Sequence, residues 1–118
     1  MSKAIHTSLA DGRWETLSLA QQMGNIGSEI SRALRWKGKG NTERMKACVD
    51  RALELMDLSL RWAQKEQNKE VHPGVLRELT HLRDVVCDYF LCENAYNTDG
   101  EDLLRYFDQF ALLPHRVG

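Results

Sequence analysis

The chain has 118 residues, a length that suits one domain with one modest core. Hydrophobic residues make up 42% and charged residues 28%, a balance that excludes a disordered or fibrous chain. The net charge of −1 gives no global pull toward nucleic acid or an anionic membrane, and no apolar run nears the ~20 residues of a membrane span.

The opening "MSKAIHTSLADGR" lacks the apolar stretch of a signal peptide, so a cytoplasmic location is expected, with residues 1–12 as a tail. Strand signals are absent, whereas helical periodicity appears four times. The first helix is predicted from about Trp14 or Ser18 to Trp36. Ser18 and Gln21 fit a capping box, and Leu19, Met23, Ile26, Ile30 and Ala33 make one apolar stripe. Two glycines interrupt its "QQMGNIGSEIS" segment, each costing a helix roughly 0.5–1 kcal/mol relative to alanine. On a helical wheel Ala20, Gly24, Gly27 and Ser31 fall within about 60°. This strip of small residues predicts close packing by a neighbouring helix, with a ligand against the glycine backbone as the alternative.

Lys37-Gly-Lys-Gly-Asn41 then predicts a stop. The second helix is predicted over about Thr42–Gln64, capped by Asn41 or Thr42. Its two apolar stripes, Val49/Leu53/Met56/Leu60/Ala63 and Met45/Cys48/Ala52/Leu55/Trp62, cover about half the circumference and imply several neighbours. Residues 65–72 read as a polar loop. The third helix is predicted from about Pro73, a first-turn proline, to Cys92, with Val75, Leu79, Leu82, Val86 and Phe90 inward. "ENAYNTD" interrupts it. The fourth runs from about Gly100 to Leu113, with Thr98 and Glu101 as a capping box, and Leu103, Phe107 and Phe110 inward. Pro114 ends it, leaving 114–118 as a tail. The fold expected is all-α: one antiparallel four-helix bundle spanning residues 1–118. Cys48, Cys87 and Cys92 are odd in number and form no Cys-x-x-Cys pair, so neither a disulfide framework nor a structural zinc is expected. Cys48 and Cys87 read as small core residues.

Candidate chemistry comes from polar residues on these helices. "ELMD" supplies Glu54 and Asp57, and the preceding helix supplies Glu29. This set resembles the magnesium-binding carboxylates of the all-α MazG-like nucleoside triphosphate pyrophosphohydrolases, whose first motif has several glutamates where this chain offers one. The plainer reading is a solvated face. Asp50, Glu54, Asp57 and Arg61 cluster opposite the apolar arc of the second helix, as do Arg77, His81, Asp84 and Asp88 on the third. Asn25, Glu29, Arg32 and Trp36 lie away from the apolar stripe of the first. "RELTH", from Arg77 to His81, resembles the Arg-x4–6-His motif of the HEPN ribonucleases, with three intervening residues instead of four to six.

Residues 32–46 carry six cations, Arg32, Arg35, Lys37, Lys39, Arg44 and Lys46, against Glu43 alone, with Trp36 among them. A basic, aromatic turn can grip phosphate or single-stranded nucleic acid, or dock an acidic surface, including that of a second copy. Residues 93–110 carry five acids, Glu93, Asp99, Glu101, Asp102 and Asp108, against Arg105 alone. The plainer reading is a helix end whose cations complement its dipole.

The blocks "RWETLSLAQQMGNIGSEISRALRWKGKGN" and "LRDVVCDYFLCENAYNTDGEDLLRYFDQFAL", with "RALELMDLSL" between them, resemble a family of small bacterial helical proteins marked by an Asn-Ile-Gly-Ser-Glu run and without an assigned function. The resemblance implies a compact, cytoplasmic helical protein and supplies no active site. The favoured function is a non-enzymatic interaction module, a homodimer or a binder of another protein, with no catalytic residues and no cofactor expected. The alternatives are a metal-dependent enzyme using Glu29, Glu54 and Asp57, and a nucleic-acid-binding or HEPN-like accessory protein.

Overall fold

The computed structural model describes residues 12–65 and 74–112. The expected tails up to residue 11 and from 114 on, the loop 66–72, Pro73 and the Phe110 side chain lie outside the described residues. A single 3-10 turn, Trp14–Thr16, precedes four helices: α1 (Leu19–Gly38), α2 (Thr42–Gln64), α3 (Val75–Leu91) and α4 (Gly100–Leu112). The described residues contain no strand. The chain is therefore an all-α helical bundle. No helix among these residues is long and apolar enough to cross a membrane.

Local signals set the helix ends. The Gln21 N–H donates to Ser18 Oγ (3.1 Å) and the Ser18 N–H donates to Gln21 Oε1 (2.8 Å), so the capping box is complete. At the other end α1 runs two residues past Trp36, because Gly40 adopts φ +74° and closes a Schellman turn. There the Gly40 N–H donates to the Lys37 carbonyl and the Asn41 N–H to the Trp36 carbonyl. Asn41 also opens α2, accepting the Arg44 N–H on Oδ1 at 3.0 Å. One residue thus ends one helix and starts the next. At α4 the expected Thr98 cap is displaced by one position. Asp99 Oδ1 accepts the Glu101 N–H (2.9 Å) and the Asp99 carbonyl accepts the Leu103 N–H. The Thr98 N–H and carbonyl are occupied instead by the Asn94 side chain.

Side-chain pairs give the topology. Gln22 meets Ser59 and Glu29 meets Arg51, so α1 and α2 run antiparallel. Gly27 faces Phe107 while Leu34 and Tyr89 face Gly100, so α4 is antiparallel to α1. The Tyr106 hydroxyl donates to Glu78 Oε1 (2.7 Å), which with the Tyr89–Gly100 approach makes α3 antiparallel to α4. α1 lies between α2 and α4, and α2 carries α3 on its other side. All five expected inward residues of α3 are buried, as are Leu103 and Phe107 of α4.

The core contains one closed polar ring. Trp14 Nε1–H donates to Ser59 Oγ (3.0 Å), Ser59 donates to Gln22 Oε1 (2.8 Å), and Gln22 Nε2 donates to the Trp14 and Leu17 carbonyls (3.2 Å each). Gln22 and Ser59 have no exposed surface and Trp14 retains 1%. Burying these groups is tolerable because each is partnered. The ring fastens the 3-10 turn over the start of α1 and the end of α2.

Two outcomes are expected. Ser59→Ala leaves the Trp14 N–H and the Gln22 oxygen without a partner and should cost about 1–3 kcal/mol in urea unfolding. Thr80→Ala on the exposed side of α3, which removes a hydroxyl bonded to the Leu76 carbonyl, should stay within about 0.5 kcal/mol. Equal costs would refute the ring. Separately, burial first and the Glu78 carboxylate second push the Tyr106 phenol up to about 12. The fold favours its neutral form, so this contribution is full below the ordinary tyrosine value of about 10 and is lost as pH rises from there to about 12. Tyr106→Phe should therefore lose less stability than the parent across that range, and equal alkaline losses would contradict the assignment.

Candidate functional site

The antiparallel topology brings the α1–α2 turn and the α3–α4 loop to one end of the bundle. Lys37 Nζ lies 5.5 Å from the centroid of the Tyr89 ring, joining the two. The Schellman turn places Lys39 and Arg44 on opposite sides of the turn, and both reach Trp36: the Lys39 ammonium sits 5.4 Å and the Arg44 guanidinium 4.8 Å from its ring. Trp36 is half-buried against the core. Cation–π contacts of this kind contribute about 0.5–1 kcal/mol at exposed sites, so they hold the cations in place without neutralising them. Arg35 and Lys46 are exposed and make no ion pair with another described residue. Among the described residues, Arg32 is the one of the six predicted cations in an ion pair, with Glu29 at 3.1 Å.

The facing loop has a rigid internal build. The Asp88 carboxylate accepts the Ala95 and Tyr96 N–H groups at 2.8 and 2.9 Å. Asn94 and Asn97 take φ of 55° and 56°, a left-handed conformation that asparagine tolerates better than most residues. The loop presents Glu93 and Asp99, and the first turn of α4 presents Glu101, none in an ion pair with another described residue. Asp102 pairs with Arg105 at 2.6 Å. Leu91 and Tyr96, 43% and 54% exposed, are the exposed large hydrophobic residues of the described chain, and both belong to this end of α3 and its loop. The Tyr96 ring packs edge-on against His81 at 5.5 Å. Burial, and then the Asp99 charge, raise the Tyr89 phenol above its ordinary value.

The other predicted residues are placed differently. Glu29 is 6% exposed rather than solvated, held by Arg32 from its own helix and by Arg51 Nε from α2 at 3.2 Å. The solvated face expected for Asn25, Glu29, Arg32 and Trp36 thus needs correction: one helix's wheel carries no knowledge of an arginine reaching across from the next. Asp57 receives Arg83 of α3 through two bonds, Nε at 2.7 Å and Nη2 at 3.3 Å. Glu54 is half-buried on α2. Among the described residues no three His, Cys, Asp or Glu side chains are placed to hold a metal, so Glu29, Glu54 and Asp57 do not converge. Arg77 and His81 lie on the outer face of α3 in a shallow depression shared with Leu76, Thr80 and Asp84. Cys48 is buried, Cys87 half-buried and Cys92 exposed, all as free thiols. Burial pushes the Cys87 thiol up, against the pull of Arg83, which does not suit a nucleophile.

The small-residue strip divides. Gly27 lies under α4: a Cβ there would sit 3.7 Å from Phe107 Cβ, an ordinary contact rather than a closer one. Gly24 is exposed, and a Cβ there would meet nothing within 4 Å. Gly24, Gly27 and Ser31 line a cleft of about 340 Å³ beside Leu104, Phe107 and Asp108. α4 thus comes to ordinary van der Waals distance of Gly27, while nothing lies within 4 Å of a Cβ at Gly24.

No family model matches the chain, and neither a curated protein nor a solved structure is significantly similar to it.

Gly24→Ala should raise stability by about 0.5–1 kcal/mol through helix propensity, since the new methyl meets open space. Gly27→Leu should cost about 1–3 kcal/mol by pushing against Phe107, whereas Gly24→Leu should not. Thermal unfolding of the three variants checks this. A Gly24→Leu penalty as large as that of Gly27→Leu would show α4 placed wrongly on α1.

Proposed function

We propose that the protein is a non-enzymatic helical interaction module that binds a protein partner through the bundle end bearing Trp36. The observation that carries this reading is the gathering of features on that end. Lys39 and Arg44 hold the half-buried Trp36 between them, Lys37 joins their turn to Tyr89 beside the acidic loop, and Leu91 adds exposed apolar surface at the end of α3. Tryptophan, tyrosine and arginine are the residues that most often dominate binding energy at protein interfaces. Charge set around them steers association and fixes register.

The nucleic-acid alternative draws on the same turn, since a cation-flanked aromatic suits a single strand. The acids of the α3–α4 loop oppose it, because they would repel a phosphate backbone following the surface. The enzyme alternative gains no comparable support: Glu29 and Asp57 already face arginines.

The test is capture from the host extract with the protein as bait, comparing the parent with a Lys39→Glu/Arg44→Glu variant and with Arg77→Ala on the outer face of α3. A specific captured protein should fall at least tenfold with the charge reversal and remain with Arg77→Ala. Capture insensitive to the reversal would overturn the reading. Salt-sensitive binding of a single-stranded oligonucleotide, lost in the same reversal, would replace it with the nucleic-acid one.

A further inference from the structure

We infer that the partner this end fits is a second copy of the same chain, docked across a twofold axis so that the basic half of each end lies on the acidic half of the other. The inference rests on the interaction reading above and goes further by naming the occupant and its orientation.

The charge arithmetic is the first support. Residues 32–46 hold six cations and one acid, a formal +5; residues 88–102 hold five acids and no cation, a formal −5. The topology sets these equal and opposite groups side by side on one end, the basic group from α1–α2 and the acidic group from α3–α4. They meet where Lys37 lies over Tyr89.

The second support is that most of these charges do not cancel within the chain: among the described residues only Arg32, with Glu29, and Asp102, with Arg105, are in ion pairs. Lys37 is directed at the Tyr89 ring, and Lys39 and Arg44 at the Trp36 ring, while Glu93, Asp99 and Glu101 have no cation within ion-pair distance among the described residues. Rigid local geometry keeps the two groups apart: the Gly40 Schellman turn on one side, and the Asp88 carboxylate clasping the Ala95 and Tyr96 amides on the other.

Symmetry supplies the third. A twofold interface uses the same patch on both subunits and must be self-complementary. A patch divided into a positive and a negative half meets that condition when the axis runs along the dividing line. A partner of one sign, such as a polyanion or a uniformly acidic protein, would meet repulsion over half of the same surface. Leu91 adds apolar area to the acidic half, and Trp36 to the basic half.

The experiment is light scattering after size exclusion on three purified chains: the parent, Lys39→Glu/Arg44→Glu, and Glu93→Lys/Glu101→Lys. The substituted positions are exposed, and retained helical circular dichroism confirms folding. The parent should be a dimer at about 0.1 mM, and its dissociation constant should rise at least tenfold in about 0.5 M salt. Each reversed variant alone should elute as a monomer, and the two mixed should form a heterodimer. A monomeric parent at low salt, or reversed variants that stay dimeric, would overturn the inference. A monomeric parent whose capture of another protein still depends on Lys39 and Arg44 would sink the second copy as occupant while leaving the interaction reading standing. Capture independent of those residues would sink the reading itself.

Discussion

The register of α1 against α2 depends on one buried amide. Gln22 has no exposed surface and four hydrogen-bonding valences to satisfy. It fills three of them by accepting from Ser59 and donating to two carbonyls of the segment just before its own helix. A slip of α2 by one residue would swing Ser59 about 100° away and leave the Gln22 side-chain oxygen and the Trp14 indole N–H without partners. Each orphaned group costs about 1–3 kcal/mol, a large share of the 5–15 kcal/mol by which a domain is stable. Apolar packing alone is more forgiving, since similar side chains repeat along both stripes. Seven residues further along α1, Glu29 meets Arg51 and confirms the same register. With α1 and α2 locked, the turn between them has a fixed place, and α4 can settle over Gly27.

Helices and their ends were largely legible in the sequence because their causes are local. A 3.6-residue stripe needs no knowledge of its neighbour, and the Ser18–Gln21 box or the Lys-Gly-Lys-Gly-Asn stop acts within a few residues. The cap at Thr98 fails for a related reason. The Thr-x-x-Glu pattern is a genuine cap signal, but Asn94 already occupies the Thr98 backbone and passes the role to Asp99. Glu29 and Gln22 were illegible in another way. Their burial depends on side chains from α2, and no single-helix pattern announces that Glu29 will find Arg51 22 positions along the chain or Gln22 will find Ser59 37 positions along. Trp14 lies in the 3-10 turn ahead of α1, where nothing nearby in the sequence signals that its indole closes a ring with the core.

The glycines show how a pattern can be real and still incompletely read. Small residues at Ala20, Gly24, Gly27 and Ser31 do mark one side of α1, and α4 does come to that side at Gly27. The strip extends beyond the contact, and its Gly24 end faces the open cleft. At 3.7 Å from Phe107 an alanine would fit, so steric need does not account for Gly27. The strip's effect is on shape: without side chains the α1 surface is flat there, and α4 rests on it through Phe107 while Leu104 lines the adjoining cleft.

Charge segregation along the chain was visible from composition, but its consequence was not. Read linearly, a basic stretch at 32–46 and an acidic one beginning at 93 look like two separate surfaces, each suited to a partner of opposite sign. Folding an antiparallel bundle puts both at the same end. That changes the physics of recognition. At distances beyond the Debye length, about 8 Å at physiological salt, the two halves largely cancel, and the end exerts little pull on a distant polyelectrolyte. At contact the halves act separately, so orientation is selected strongly although net attraction at range is weak. Such an end discriminates by geometry rather than by total charge, which suits a partner carrying the same divided pattern better than one carrying a single sign.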